Sequence, residues 1–119
     1  MWLCTKYGFF SITKKKENEW HVRGRAEADL EALRSACNML HEIHRSEPPA
    51  DYRWRMIVED QETLNKVFET LAATLDYNNF KGMIAGNAGQ RDKLNIYHGW
   101  WDNMCEYQEK KDLNADEDT

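Results

Sequence analysis

Five basic side chains stand at alternating positions in two short segments, Trp20-His21-Val22-Arg23-Gly24-Arg25 and Tyr52-Arg53-Trp54-Arg55-Met56-Ile57-Val58. Successive side chains on a strand point to opposite faces. As strands, the first segment puts His21, Arg23 and Arg25 on one face, and the second does the same for Arg53 and Arg55. Crowded like charges repel on a sheet, so such a face needs acidic neighbours or a bound anion. The planar fork of arginine suits a phosphate, which it binds through two parallel hydrogen bonds. Lys6 or Tyr7 on the preceding strand joins them, depending on which side of Gly8 turns inward. The competing arrangement is internal pairing of these arginines with Asp76, Asp102 or the acidic helices.

Other chemistry-bearing residues are sparser. His41 and His44 are three apart, with Glu42 between them, but the His-Glu-x-x-His metal pattern is absent and no further ligands cluster, so no metal and no cofactor is expected. Cys4, Cys37 and Cys105 lie on apolar patterns, which predicts buried, unreactive thiols. An odd number of cysteines without close spacing argues against a disulfide framework or a zinc ribbon. Gly86-Asn87-Ala88-Gly89 lacks the Lys-Ser/Thr ending of a phosphate-cradling loop. No nucleophile, acid and base converge in the pattern, so an enzyme is not expected. Asp76-Tyr77-Asn78-Asn79-Phe80-Lys81 is a polar run that reads either as a partner-contacting loop or as a helix junction with a capping residue. Its Asp76, Tyr77, Asn79 and Lys81, together with Trp100, are candidates for a partner interface.

The elements that must position these residues follow from periodicity. Residues 2–13 are rich in aromatic and β-branched types and read as strand one, with Gly8 marking a bulge or a close backbone approach. A polar turn leads to strand two at residues 20–25. Leu30, Leu33, Cys37, Leu40 and His44 keep helical spacing, which predicts a helix over residues 27–45. Pro48-Pro49 force an extended approach to strand three, residues 52–59. Asp60 is placed to cap a second helix with Leu64, Val67, Phe68, Leu71 and Leu75 on its buried stripe. A short helix holds Phe80, Met83 and Ile84. A last helix, about residues 90–108, buries Leu94, Tyr97, Trp101, Met104 and Cys105.

The expected fold is therefore α+β, in the order β-β-α-β-α-α with the short helix between the last two. Its sheet is three-stranded and antiparallel, of order 2-1-3, and is packed against helices. Trp20, Val22, Trp54, Met56 and Val58 face the helices, and the arginines face away.

With 119 residues, 41% of them hydrophobic, the chain is long enough for one self-sufficient domain, read as residues 1–108 with an acidic, flexible tail at 109–119. The net charge of -5 excludes a simple polyanion binder of uniform charge, but its distribution is uneven. Residues 1–26 carry six basic against two acidic side chains, and residues 106–119 carry the reverse. No apolar run reaches the 18–20 residues or so of a membrane helix, and the apolar start is interrupted at Lys6, so a cytoplasmic protein without membrane contact is expected.

Three groups of residues resemble a family of small bacterial and phage-borne proteins without an established activity. They are Met1-Trp2 and Thr5-Lys6-Tyr7-Gly8-Phe9-Phe10-Ser11-Ile12 with His21-Val22-Arg23-Gly24-Arg25, then Asp51-Tyr52-Arg53-Trp54-Arg55, and then Leu75-Asp76-Tyr77-Asn78-Asn79-Phe80-Lys81 with Tyr97, Trp101 and Met104. The resemblance implies a bacterial or phage setting and transfers no catalytic residue. Two roles follow. One is a non-enzymatic binding or regulatory protein, monomeric or homodimeric, that acts through a protein partner, for example as an inhibitor. The other is a binder of nucleic acid or small anions through the arginine face.

Overall fold

The computed structural model describes residues 1–117. They fall into two compact units, Met1–Tyr77 and the chain from Asn78 on. The first holds β1 (Trp2–Cys4), β2 (Phe9–Lys16), β3 (Glu19–Gly24), α1 (Glu27–Ala36), β4 (His44–Arg45), β5 (Trp54–Val58) and α2 (Gln61–Ala72). The second holds α3 (Phe80–Ala85), a 3-10 turn (Arg91–Lys93) and α4 (Leu94–Glu117). The class is α+β with an antiparallel sheet, as expected, but the sheet has five strands rather than three, in the order β1-β2-β3-β5-β4.

Both extra strands come from turns hidden inside longer propensity runs. The segment read as one strand over residues 2–13 reverses at Thr5–Gly8. There the Thr5 hydroxyl accepts from the Tyr7 and Gly8 amides and donates to the Gly8 carbonyl, and Gly8 has φ +147°. Such a φ favours glycine. The reversal lays β1 back on β2, with Trp2 opposite Ser11. Gly8 is thus a turn residue rather than a bulge, and of the two expected readings it is the close approach that is observed, a Cβ here falling on the Asp29 side chain.

The helix expected to reach residue 45 stops at Ala36. Asn38 takes a left-handed φ of 53°, its amide donates to the Ser35 carbonyl, and the Met39 amide donates to the Arg34 carbonyl. This double bond pattern ends helices, and asparagine tolerates the backbone it needs. Leu40 is consequently 98% exposed, not buried. His41 lies in the following loop and His44 opens β4, so they are not paired on a helix face.

The same stop corrects the strand order. After α1 the chain enters β4, turns where the Ser46 amide donates to the Arg53 carbonyl at 2.7 Å, and returns as β5 between β3 and β4. The segment read as strand three therefore lies beside β3 and not beside the first strand.

The predicted inner face of the sheet is the observed one. Phe10, Ile12, Trp20, Val22, Met56 and Val58 pack with Leu30, Leu33 and Cys37 of α1 and with Leu64, Val67 and Leu71 of α2. Fully burying such a side chain contributes about 1.5–3 kcal/mol. Asp60 caps α2 by accepting from the Thr63 amide at 2.7 Å, and these bonds hold its carboxyl below the usual range. Because α2 ends at Ala72, Leu75 falls outside the stripe and is exposed. Cys37 is buried as expected, whereas Cys4 is exposed on β1 and Cys105 is half-buried.

In the second unit, Asn79 caps α3 by accepting from the Gly82 amide. Tyr97 is buried with Phe80 edge-on to it at 5.0 Å. Trp101 and Met104, expected in the core, are 53% and 64% exposed. α4 runs to Glu117, well past the expected end near 108, and the last two residues of the acidic tail lie outside the described residues. No helix among the described residues is long and apolar enough to cross a membrane.

Candidate functional site

Register on the outer face of the first unit's sheet assembles one transverse row from all five strands. Trp2 pairs with Ser11, Ser11 with Arg23, Arg23 with Arg55, and Arg55 with His44. Neighbouring strands lie about 4.8 Å apart, so the row spans about 19 Å. Two arginines stand directly opposite each other at its centre. Trp2, 71% exposed, ends the row on β1, and exposed His44 ends it on β4.

The contacts of these arginines set the electrostatics. Arg23 donates through Nη2 to the buried Ser11 hydroxyl at 2.8 Å. Tyr52, itself buried, has the guanidinium groups of both Arg23 and Arg25 against its ring, 4.6 and 4.3 Å from the ring centre. Each contact of this kind adds attraction when water is excluded. Arg25 also donates to the Asp51 carbonyl. Arg53 precedes β5 and is half-buried. Among the described residues, Arg23, Arg25, Arg53 and Arg55 form no ion pair with a carboxylate. The Nε atoms of Arg23 and Arg55 are buried and lack an acceptor, as does the Thr13 hydroxyl in the next row.

Of the acids expected to neutralise this face, Asp76 and Asp102 are committed elsewhere, Glu19 serves His21, and Glu42 stands at the row's end, 3.9 Å from His44. Asp76 accepts from Lys6 at 2.7 and 2.9 Å, and that bond holds its carboxyl below the usual range. Lys6 is thereby tied to Asp76, away from the row. Asp102 sits 3.7 Å from His98 on α4. Glu19 takes His21 at 3.2 Å and Lys16 at 3.7 Å.

His21 links Glu19 to Arg55. Arg55 Nη1 lies 3.1 Å from His21 Nδ1, and His21 Nε2 lies 3.2 Å from Glu19. An arginine only donates, so Nδ1 must accept and the ring proton sits on Nε2, facing the carboxylate. Burial, and then the Arg55 charge, push the imidazole below its ordinary 6.5, while Glu19 opposes them. Because the folded value lies below the unfolded one, the unfolded chain binds the proton more readily. The associated stability is complete above about pH 6.5 and is lost as pH falls through the folded value. An NMR titration of the His21 ring should show a midpoint below 6.5. Arg55→Met should raise it and Glu19→Gln should lower it further. A midpoint at or above 6.5 would contradict this electrostatic account.

The remaining sequence candidates are in the second unit or at its border. Asn79 is occupied as the α3 cap. Lys81 lies over the Trp101 ring at 4.2 Å, and Trp100, 38% exposed, meets Tyr97 edge-on at 5.5 Å. Tyr77 is half-buried. Among the described residues, no three His, Cys, Asp or Glu side chains gather in a way that could hold a metal ion.

Sequence parity put Arg23 and Arg55 on one face but missed Trp2, Ser11, Tyr52 and His44. Trp2 and Ser11 share a face only because of the Thr5–Gly8 reversal. Tyr52 carried a usable signal, being the aromatic directly before the Arg-x-Arg repeat. Comparison with protein-family models, curated proteins and solved structures finds no match for this chain.

Proposed function

We propose that the arginine row binds a phosphate-bearing chain, and that the protein is a non-enzymatic binder of single-stranded nucleic acid. The observation that carries this reading is the placing of Arg23 directly opposite Arg55 on one sheet face, with Arg25 beside Arg23 on the Tyr52 ring, and none of the three ion-paired to a carboxylate among the described residues. A structural role would call for neutralising acids, since directly opposed like charges destabilise a sheet. An anion supplied from outside satisfies the same need. Arginine forks match phosphate geometry. Trp2 at the end of the row offers a ring on which a base can stack, an interaction tolerant of sequence. The acidic net charge does not oppose this, because binding responds to the local field of the face.

Fluorescence anisotropy with a labelled single-stranded oligonucleotide tests the reading, with a duplex and inorganic polyphosphate as comparators. Three or four phosphate contacts predict a log–log salt slope of about -2 to -3, from roughly -0.7 per contact. Arg23→Glu with Arg55→Glu should abolish binding while near-UV circular dichroism stays unchanged. Wild-type-like binding by that folded variant would sink the proposal. Binding of polyphosphate alone would replace nucleic acid by small anions as the ligand.

A protein partner is the second reading, favoured by the exposed apolar side chains of α4.

A further inference from the structure

His21 adjoins the arginine row from the next register along β3. It lies opposite Thr13 on β2 and Ile57 on β5, on the same face as Arg23. The charged groups that face its ring are Glu19 on its own strand, Arg55 on β5 and Lys15 on β2. Glu19 also takes Lys16 at 3.7 Å. Arg55 Nη1 holds the ring at Nδ1, 3.1 Å away, and Glu19 holds it at Nε2, 3.2 Å away. The Arg55 bond needs a neutral ring, because an imidazolium has two donors and no acceptor. Protonating His21 in the free protein would break that bond and set two like charges side by side. Burial and the Arg55 charge accordingly hold the free ring below its ordinary 6.5, against the pull of Glu19.

We propose that His21 is the proton-accepting member of the phosphate site: a phosphate held by the Arg55 fork draws Nη1 off Nδ1, and the freed nitrogen takes a proton from solvent and donates a hydrogen bond to the ligand. This inference rests on the reading of the row as a phosphate site. No covalent bond of the ligand changes. One proton moves from water to Nδ1, while the Nε2 proton stays on Glu19. Arg23, Arg55 and His21 then face the anion as three cations. The row gains its third charge only when an anion is present, which spares the free sheet a further repulsion. The coupling is reciprocal, so a ligand that raises the proton affinity of the ring is itself bound more tightly once the ring is protonated, by the same factor. An opposite charge within about 4–6 Å moves a titrating group by about 1–3 units, and each unit is tenfold in affinity. Affinity is therefore lowest above the His21 midpoint of the complex. It rises as pH falls through that midpoint toward the lower one of the free protein. The row's other imidazole is His44, opposite Arg55 on β4, exposed and 3.9 Å from Glu42. Its titration has to be separated from that of His21.

Anisotropy with a labelled oligothymidylate at constant ionic strength tests the coupling. The oligonucleotide lacks a terminal phosphate, which would itself titrate near pH 6. Its phosphodiesters and thymines keep their charge across the range, so any pH effect comes from the protein. From about pH 8 to about pH 5.5, with the fold checked by circular dichroism, affinity should rise at least about tenfold. His21→Asn keeps an acceptor for Arg55 but cannot titrate, and should cut that rise to less than about twofold. His44→Gln should preserve the ratio between the two pH values. In the wild type, the His21 midpoint followed by NMR should move up by about one unit or more on saturation with the oligonucleotide. Equal affinity at both pH values, a rise that survives His21→Asn, a rise lost in His44→Gln, or an unmoved His21 midpoint would each overturn the coupling and leave the phosphate site standing. No binding at either pH would overturn the phosphate site itself, and the coupling with it.

Discussion

Arg55→Met is expected to raise folding stability by about 1 kcal/mol while lowering affinity for single-stranded nucleic acid at least tenfold. The stability gain has three sources. Arg55 faces Arg23 directly across the β3–β5 pair, and removing one charge relieves that repulsion. Its buried Nε lacks an acceptor, and an unmet buried donor costs about 1–3 kcal/mol. Methionine keeps the length and apolar character of the arginine stem and adapts to irregular gaps. Against this stands the lost bond to His21 Nδ1, worth about 0.5–1.5 kcal/mol. The balance is a modest gain, visible as a higher urea midpoint at unchanged slope. The binding loss follows because the same guanidinium supplies charge and a planar fork to the ligand. A site held in a strained electrostatic state for its ligand commonly gains stability when it is disarmed. A loss of more than about 1 kcal/mol on Arg55→Met, with affinity retained, would make this residue part of the sheet's scaffold and leave the row without a ligand role.

Strand faces were legible in the sequence because parity has a period of two and survives errors in topology. Trp20, Val22, Met56 and Val58 turn inward whichever strand they lie beside, and Arg23 and Arg55 turn to the other face for the same reason. Strand order was not legible, since it depends on β1 and β4, which are three and two residues long. Strands so short leave no alternation to read, and only the turns that create them carry a signal. Thr5 three residues before Gly8, and Asn38 straight after an apolar helical run, were those signals. The helical spacing of Leu40 and His44 outweighed the second, because a period says where a helix could continue and not where its backbone stops. The apolar pattern of α4 misled in another way. It marks a side that needs covering without saying by what, so Trp101 and Met104 read as core. That Asp76 does not pair with the arginines was equally hidden, since Lys6 claims it across 70 residues of chain.

Gly8→Ala is expected to cost about 2–4 kcal/mol, the largest stability effect in the first unit from a single added methyl group. Two penalties combine at this position. The backbone at φ +147° is one that L side chains rarely adopt. The new Cβ would also land on the carboxyl carbon of Asp29, which is buried in α1 at 3% exposure. A buried helical side chain cannot swing aside as a surface lysine could, so the turn itself must open. Opening it breaks the Thr5–Gly8 bonds and releases β1 from β2, which carries Trp2 away from Ser11 and shortens the arginine row at its aromatic end. The variant should therefore lose both urea stability and the stacking part of nucleic-acid binding, while the salt slope, set by the arginines, stays the same. Gly99→Ala is the control: nothing lies within 4 Å of the added Cβ, and alanine is the better helix former by up to about 1 kcal/mol, so stability should hold or rise. If Gly8→Ala unfolds at the wild-type urea midpoint, the Thr5–Gly8 turn does not set the position of β1, and Trp2 has no fixed place in the row.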